Sequence, residues 1–398
     1  MLKTSVVMFT TSYLPTIGGL QLETAWQLDA LDGMIDKKFE FYFLAPNKAA
    51  LKYCNFENIR VINLNLKPYT KIGLIKNVIT LWETVRFIKP DIVHGQSIVP
   101  DGLIIYLCRI LFNQKYKYIL TSHGRDLVKI PDIKYGNRLK WYIDYLTKLV
   151  LKKCSKIVVP SLKLFDIAHE IGIEKDKLLH IPNGVKVYNP QNNDCTATII
   201  KRWSISKNDM CLLSLSSLTL IKDLDSLIEG TRLATAKTNN IKLFIVGDGE
   251  MKEYLKNKVE RYQLNRYIKF IGNINEYEKD AYLEISDVFC ITSIFENFPV
   301  SILEAMSYGK SLIATNVGGI PDIVKHNNNG ILIRPKNPYD IAKAILKIYH
   351  DKEFKEKISK NAIMTSKKYD IKDITEKYYN LYLKETIFTK KTRFNINT

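Results

Sequence analysis

The chain has little with which to staple itself or hold a metal. Its six cysteines, Cys54, Cys108, Cys154, Cys195, Cys211 and Cys290, are dispersed without a C-x-x-C pair, and several lie inside apolar runs, the usual setting of reduced core thiols. Neither a disulfide nor a zinc site is expected. The six histidines are scattered as well, with no HExxH motif and no histidine–carboxylate cluster, so no catalytic metal is expected. An Asp-x-Asp at Asp223 and Asp225 falls at an expected helix start, where aspartates suit the helix dipole without any metal. Long apolar runs are missing too. The longest, Leu103 to Phe112, is broken by Arg109 and falls short of the roughly 20 residues a membrane span requires. The opening MLKTSVVMFTTSY reads as a strand and lacks the long apolar segment and small-residue cleavage site of a signal peptide, so a cytoplasmic location is expected. There is no fixed-period repeat and no low-complexity tract.

What is present describes a globular chain of two domains. At 398 residues it exceeds what one core usually organises, so two domains of about 150 to 200 residues are expected. Apolar residues make up 46% and charged ones 25%, enough to fill large cores. Strand-like runs at Ser5 to Thr11, Phe39 to Leu44, Arg60 to Leu64, Ile92 to Gly95, Tyr118 to Ser122 and Lys156 to Pro160 alternate with helical patterns. A second series comprises Met210 to Ser216, Lys242 to Val246, Ile268 to Ile271, Val288 to Thr292, Ser311 to Ala314 and Gly330 to Ile333. Such alternation predicts an α/β fold, parallel sheets with helices on both faces. The Pro-, Asn- and Gly-rich stretch from Ile181 to Thr198 reads as the linker. The expected boundaries are residues 1–187, residues 188–370 and a basic, mobile tail at 388–398.

Charge is the compositional anomaly. The chain carries a net +18, and residues 1–187 hold 27 basic and 16 acidic side chains. From Arg109 to Lys163 there are 13 lysines and arginines against Asp126, Asp132 and Asp144, with Trp141, Tyr142 and Tyr145 interleaved along an expected helix. Lysines that are merely solvated would account for part of this. The reading favoured is an anionic membrane surface, because basic and interfacial aromatic residues together add about 1 kcal/mol of attraction per basic residue. Nucleic acid is not expected, since no helix-turn-helix pattern or RNA-binding aromatic signature accompanies the charge.

The densest cluster of chemistry is SIFENFPVSILEAMSY, Ser293 to Tyr308, in which seven residues separate Glu296 from Glu304. A helix is expected to start near Pro299, which suits a first helical position, with Ile302, Leu303 and Met306 as its apolar face. Eight helical steps would hold the carboxylates about 12 Å apart, too far to share a proton but suited to gripping two parts of one extended ligand. The helix N-terminus between them offers free amides and partial positive charge to an anion. As bare spacing, two glutamates eight apart favour a structural reading, one a solvated carboxylate and the other a helix-face one.

This stretch resembles the E-x7-E signature of the family-4 retaining glycosyltransferases, and ordered blocks along the chain agree: SYLPTIGGLQ, DIVHGQS, TSHGRD, VVPS, IPNGV, SLTLIKD, FIVGDGE, FIGNI and ATNVGGIPDIV. The resemblance implies the GT-B fold, two Rossmann-like doubly wound domains facing across a deep cleft, with the last helix, about residues 371–387, returning to the first domain. It implies that Glu304 holds the ribose of a nucleotide-diphosphate-sugar donor, while Glu296 and the backbone of Asn297, Phe298, Pro299 and Val300 meet the sugar and diphosphate. Gly18 and Gly19 would let the backbone approach donor phosphates and acceptor, although two glycines alone are equally an ordinary turn. Gly247, in the turn after a strand, would lie near the base. His123, at a strand end, would point at the donor sugar. His94 could line the acceptor side or be a satisfied supporting histidine, and Arg125 and Asp126 could line the site or form a structural salt bridge. The chain departs from the family where Ser217 stands in place of the usual arginine. That leaves Lys222 as the cation for the leaving diphosphate, and such a missing contact is worth up to about 3 kcal/mol. His123, Lys222 and Glu296 are thus the catalytic candidates, with no cofactor, no metal and a sugar, glycolipid or polyprenyl-linked acceptor at a membrane. A nucleotide-sugar 2-epimerase-like isomerase and a noncatalytic subunit of a glycosyltransferase complex are the rival readings.

Overall fold

The computed structural model describes residues 3–15, 18–36, 38–68, 70–188 and 194–394. The chain divides into two compact units: one comprises Met1–Gly184 with Ile371–Thr398, the other Val185–Asp370.

The first unit is built on β1 (Thr4–Phe9), β2 (Phe39–Ala45), β3 (Ile59–Asn63), β4 (Ile92–Gly95), β5 (Lys117–Thr121), β6 (Lys156–Val159) and β7 (Leu178–His180). They form one sheet in the order β3-β2-β1-β4-β5-β6-β7, and every pairing is parallel, with Val6 beside Phe41 on one side and Ile92 on the other. Val6, Val7, Met8 and Phe9 are wholly buried, as expected of a strand covered on both faces. Because the order reverses direction after β3, right-handed crossovers place the helices on opposite faces. Lys71–Ile88, Leu103–Leu111 and Trp141–Lys153 cover one face, and Gly19–Asp32 covers the other. The last helix, Ile371–Phe394, lies against Gly19–Asp32. Tyr379 packs 4.6 Å from the Phe39 ring and Tyr382 6.0 Å from that of Phe41, and Lys117 Nζ reaches Glu385 Oε2 at 3.1 Å.

The second unit repeats the plan. Strands β8 (Met210–Leu215), β9 (Ile241–Val246), β10 (Ile268–Gly272), β11 (Val288–Ile291), β12 (Ser311–Thr315) and β13 (Ile331–Ile333) are parallel in the order β10-β9-β8-β11-β12-β13. Leu212, Leu243, Ile245 and Ile313 form its core with Leu227, Ile228 and Ile345 from the covering helices.

Three features differ from the sequence pattern or were absent from it. The helix at the C-terminus runs through Phe394, past residue 387 where it was expected to end; residues 395–398 lie outside the described residues. The expected linker ends early, because Asp194–Arg202 is helical, and its centre at 189–193 lies outside the described residues. Strand β7 was not foreseen: it has three residues and stops before Pro182, too short to show a period.

Candidate functional site

In a doubly wound sheet, ligands bind beyond the carboxyl ends of the strands where the strand order switches. In the second unit that point lies between β8 and β11, and the loops following these two strands carry Lys222, Ser293 and Glu296. After β8 the chain turns through Leu220–Lys222, takes a left-handed step at Asp223 (φ 46°) and enters the helix Leu224–Thr235. After β11 it runs from Thr292 to Pro299 before the helix Val300–Ser307. The loops are tied directly. Thr292 Oγ1 donates to the carbonyls of Lys222 and Asp223, each at 3.1 Å, and the Ile294 amide donates to the Ile221 carbonyl at 2.7 Å.

That brace sets the central contact: Lys222 Nζ lies 2.5 Å from Glu296 Oε1, which also accepts from Ser293 Oγ at 2.8 Å. Both charged side chains are largely enclosed, 22% and 12% exposed. The backbone of Glu296 is fixed from the other side, since its carbonyl accepts from the Gly319 amide at 3.0 Å. Gly318 passes so close that a Cβ there would fall 1.7 Å from the Glu296 oxygen, and its φ of +55° independently favours glycine. Gly247 is under the same constraint after β9: its φ is +132° and a Cβ would meet the Ser216 carbonyl at 2.0 Å.

The helix Val300–Ser307 begins with Pro299 as its cap rather than its first helical residue, and no side chain caps that end. Its amides therefore face the Glu296 loop without side-chain competition. Phe298, Pro299 and Val300 bury their side chains, Phe298 beside the Tyr369 ring at 5.7 Å, so only their backbones are available to a ligand. Asn297 Oδ1, Ser216 Oγ, Thr219 Oγ1 and Asp223 Oδ2 are buried without a hydrogen-bond partner among the described residues. All four belong to these two loops. Buried polar atoms are normally satisfied, so these four leave hydrogen-bonding capacity unused beside Lys222 and Glu296. Ser217, in the same loop, is exposed. The two aspartates of the Asp-x-Asp diverge in function, Asp225 pairing with Lys258 at 2.7 Å while Asp223 occupies the left-handed step.

One turn along the helix, Glu304 is 9% exposed and binds Lys279 Nζ at 2.6 Å; Lys279 also reaches Glu276 Oε2 at 2.7 Å. Burial pulls the Lys279 ammonium toward neutrality, but the carboxylates of Glu304 and Glu276 outweigh it and hold its pKa above the usual lysine value. Sequence reasoning missed Lys279 and Ser293. A signal for the former existed: Asn275 and Glu278 form a reciprocal capping box that starts the helix Glu276–Ile285 and puts Lys279 in its first turns.

The remaining expected residues belong to the first unit. Gly18 is the extended cap (φ −172°) of the helix Gly19–Asp32, which also lacks a side-chain cap. His123 is half-buried after β5, its Nε2 3.4 Å from Gln96 Oε1, and burial lowers its pKa to about 4, so the ring is neutral at physiological pH. His94 sits in the core with no exposure. Both ring nitrogens are taken, by Tyr382 Oη at 2.7 Å and Thr121 Oγ1 at 2.8 Å, and burial followed by the proximity of His123 lowers its pKa to about 3. It is placed as a supporting histidine and does not line a surface. Asp126 is likewise buried, accepting from Ser122 Oγ at 2.5 Å and from the Ile98 amide at 2.8 Å, and so braces the loop. Arg125 is exposed, its guanidinium 5.8 Å from the Tyr135 ring, and forms no salt bridge with Asp126.

Comparison with known proteins follows the same division. The model for glycosyl transferases group 1 matches residues 196–365, and that for glycosyltransferase family 4 matches residues 28–187. An uncharacterised glycosyltransferase of Methanocaldococcus jannaschii is 30% identical over 311 residues, 75% of this chain and 74% of the relative. Among solved structures, a glycosyltransferase from Rickettsia africae superposes with a TM-score of 0.76 at 21% identity, covering 96% of this chain and 98% of that one. The Anabaena HepE protein, in complex with UDP-glucose, gives 0.77 at 17% identity, covering 95% and 98%.

Proposed function

From the premise that this chain belongs to the group 1 glycosyl transferases and has their GT-B fold of two Rossmann-like units, we propose that it transfers a sugar from a nucleoside-diphosphate-sugar to an acceptor hydroxyl with retention of anomeric configuration. The observation that carries this reading is the Lys222–Glu296 contact beside the uncapped end of Val300–Ser307, at the strand-order switch of the second unit. A diphosphate arriving there would meet a lysine and free amides, and the four unpartnered polar atoms of the two loops would find partners. Lys222 would exchange Glu296 for the phosphate, leaving the carboxylate free to accept sugar hydroxyls. Ser217, exposed where the family has arginine, supplies at most a hydroxyl, so Lys222 and the helix end do the work of stabilising the leaving charge. Glu304 is proposed to take the ribose, with Lys279 opposing the rise that burial imposes on its pKa.

No side-chain nucleophile is assigned. The acceptor attacks on the face from which the diphosphate departs, through an oxocarbenium-like state, and the departing phosphate oxygen takes the acceptor proton. Neutral His123 is proposed to face the donor sugar, and Gly18 and Gly19 the phosphates and acceptor. Neither a cofactor nor a metal ion takes part in this scheme. The acceptor is proposed to be a sugar, glycolipid or polyprenyl-linked carbohydrate at the cytoplasmic face of a membrane, in envelope or surface polysaccharide assembly. The support is the basic excess of residues 1–187.

The experiment is a thermal-shift screen of nucleotide sugars, since a ligand bound only by the folded form raises its stability, followed by transfer assays with the donor found. Proton NMR of the product should show the donor's anomeric configuration, and turnover should survive EDTA. An inverted product would reject the mechanism. Conversion of the donor without any acceptor would instead favour the isomerase.

A further inference from the structure

The helix Lys71–Ile88 has two apolar stripes where a covering helix needs one. Val78, Leu81 and Val85 are buried against the sheet. At the same i, i+3, i+7 spacing on the opposite side, Ile72, Ile75 and Ile79 face outward, the first two 69% and 62% exposed. One turn beyond Ile79 the row reaches exposed Glu83, and past it, on the flank of the same side, Phe87 is 82% exposed. There the neighbouring helix Leu103–Leu111 adds exposed Ile110 and Leu111. The two ends are locked together, Trp82 stacking on Phe112 with ring centroids 4.4 Å apart and the Arg86 guanidinium 4.8 Å from the Trp82 ring. A scattered exposed isoleucine needs no explanation; a row of them along one helix and onto the next does.

Charge indicates what covers this face. Between residues 67 and 89, Lys67, Lys71, Lys76, Arg86 and Lys89 stand against the single carboxylate Glu83, and residues 103–117 contain no carboxylate at all. A second copy of the chain would bring the same positive face against itself, and the protein's net charge of +18 adds to that repulsion. An anionic bilayer complements it: isoleucine and phenylalanine enter the headgroup boundary while the lysines reach lipid phosphates. No helix among the described residues is long and apolar enough to cross a membrane, so such an attachment would lie on the surface. We infer that the outer stripe of Lys71–Ile88, extended by Ile110 and Leu111, is an insertion surface for anionic lipid bilayers. It differs from the segment with Trp141, Tyr142 and Tyr145 that the sequence singled out, where Arg138 and Lys148 are both committed to Asp144, at 2.6 and 2.7 Å. The inference deepens the proposal of a membrane-borne acceptor and rests on it only for its purpose.

The test is cosedimentation of the full chain with extruded vesicles of phosphatidylcholine alone or mixed with phosphatidylglycerol. Wild type should bind the anionic vesicles and not the neutral ones. The triple variant Ile72→Ser, Ile75→Ser, Ile79→Ser should lose at least about tenfold in partitioning, and Lys71→Gln with Lys76→Gln should lose about fivefold per charge. Melting temperature and the donor-induced thermal shift should stay at wild-type values in both variants, because these side chains are exposed and outside the nucleotide loops. Anionic binding unchanged in the triple variant would overturn the inference, as would wild type that ignores anionic lipid. So would a wild-type dimer, by light scattering, that the triple variant converts to monomer, since a second copy would then be the occupant. Failure of the donor reading would show separately, as a wild-type protein whose melting responds to no nucleotide sugar.

Discussion

Replacing Lys279 with methionine removes the cation facing the most buried carboxylate of the proposed site. Glu304 is 9% exposed, and its Oε1 lies 2.6 Å from Lys279 Nζ, whose side chain is itself only 14% exposed. Deleting one partner of a buried pair strands the other and costs about 3 to 5 kcal/mol; since both groups retain slight solvent contact, the lower end, about 3 kcal/mol, is expected. Part of the loss should be returned by a second change. In Lys279→Met with Glu304→Gln no charge is left stranded, and about 2 kcal/mol should be recovered even though this removes another native side chain. Urea denaturation of wild type, both single variants and the double variant closes the cycle. Burial already pushes the Glu304 carboxyl above its ordinary pKa, opposed by Lys279. The lone Lys279→Met variant should therefore bind donor less well as pH falls, because the carboxylate protonates. A Lys279→Met protein within about 0.5 kcal/mol of wild type, or a double variant less stable than the single, would refute the coupling.

Gly318→Ala puts a methyl group 1.7 Å from the Glu296 carbonyl at a φ of +55°; a loss of about 2 to 4 kcal/mol by denaturation and at least about tenfold in kcat/KM is expected, and a variant with wild-type kinetics would show that the Glu296 loop need not be held. Glu23 is buried without a hydrogen-bond partner among the described residues, and burial pushes its pKa to about 8. Its folded pKa lies above its unfolded one, so the stability it contributes is complete below about pH 4.5 and is lost as pH rises toward 8. Glu23→Gln should therefore be more stable than wild type by about 3 kcal/mol at pH 7 but by less than about 1 kcal/mol at pH 5; a gap of equal size at both pH values in urea titrations would contradict the assigned burial.

The parallel sheets were legible because a strand buried on both faces is apolar nearly throughout, and Val6 to Phe9 and Val288 to Ile291 could hardly be anything else. Strand β7 and the start of Asp194–Arg202 were not, since neither carries enough residues of one pattern to outweigh neighbouring proline and asparagine. The extension of the last helix was hidden by its lysines, which read equally as a solvated tail or as the outside of a helix. At the site, Lys222 and Glu296 stand out in sequence because strand-end loops are where ligands bind, but their direct contact spans 74 residues and is a tertiary fact. Lys279 was overlooked for the same reason, its partner Glu304 being 25 residues away. With His94 and Asp126 the difficulty runs the other way: position after or within a strand suggested access, and only burial shows that Tyr382, Thr121, Ser122 and the Ile98 amide already occupy their polar atoms.

The central claim is that the two loops joined by Lys222 and Glu296 receive the donor's diphosphate. Its most direct test is a crystal structure with the nucleotide sugar that gives the largest thermal shift. The account predicts diphosphate oxygens within hydrogen-bond distance of Lys222 Nζ and the first amides of Val300–Ser307, with the ribose against Glu304. Density for the nucleotide sugar away from these loops, with Lys222 still on Glu296, would contradict it.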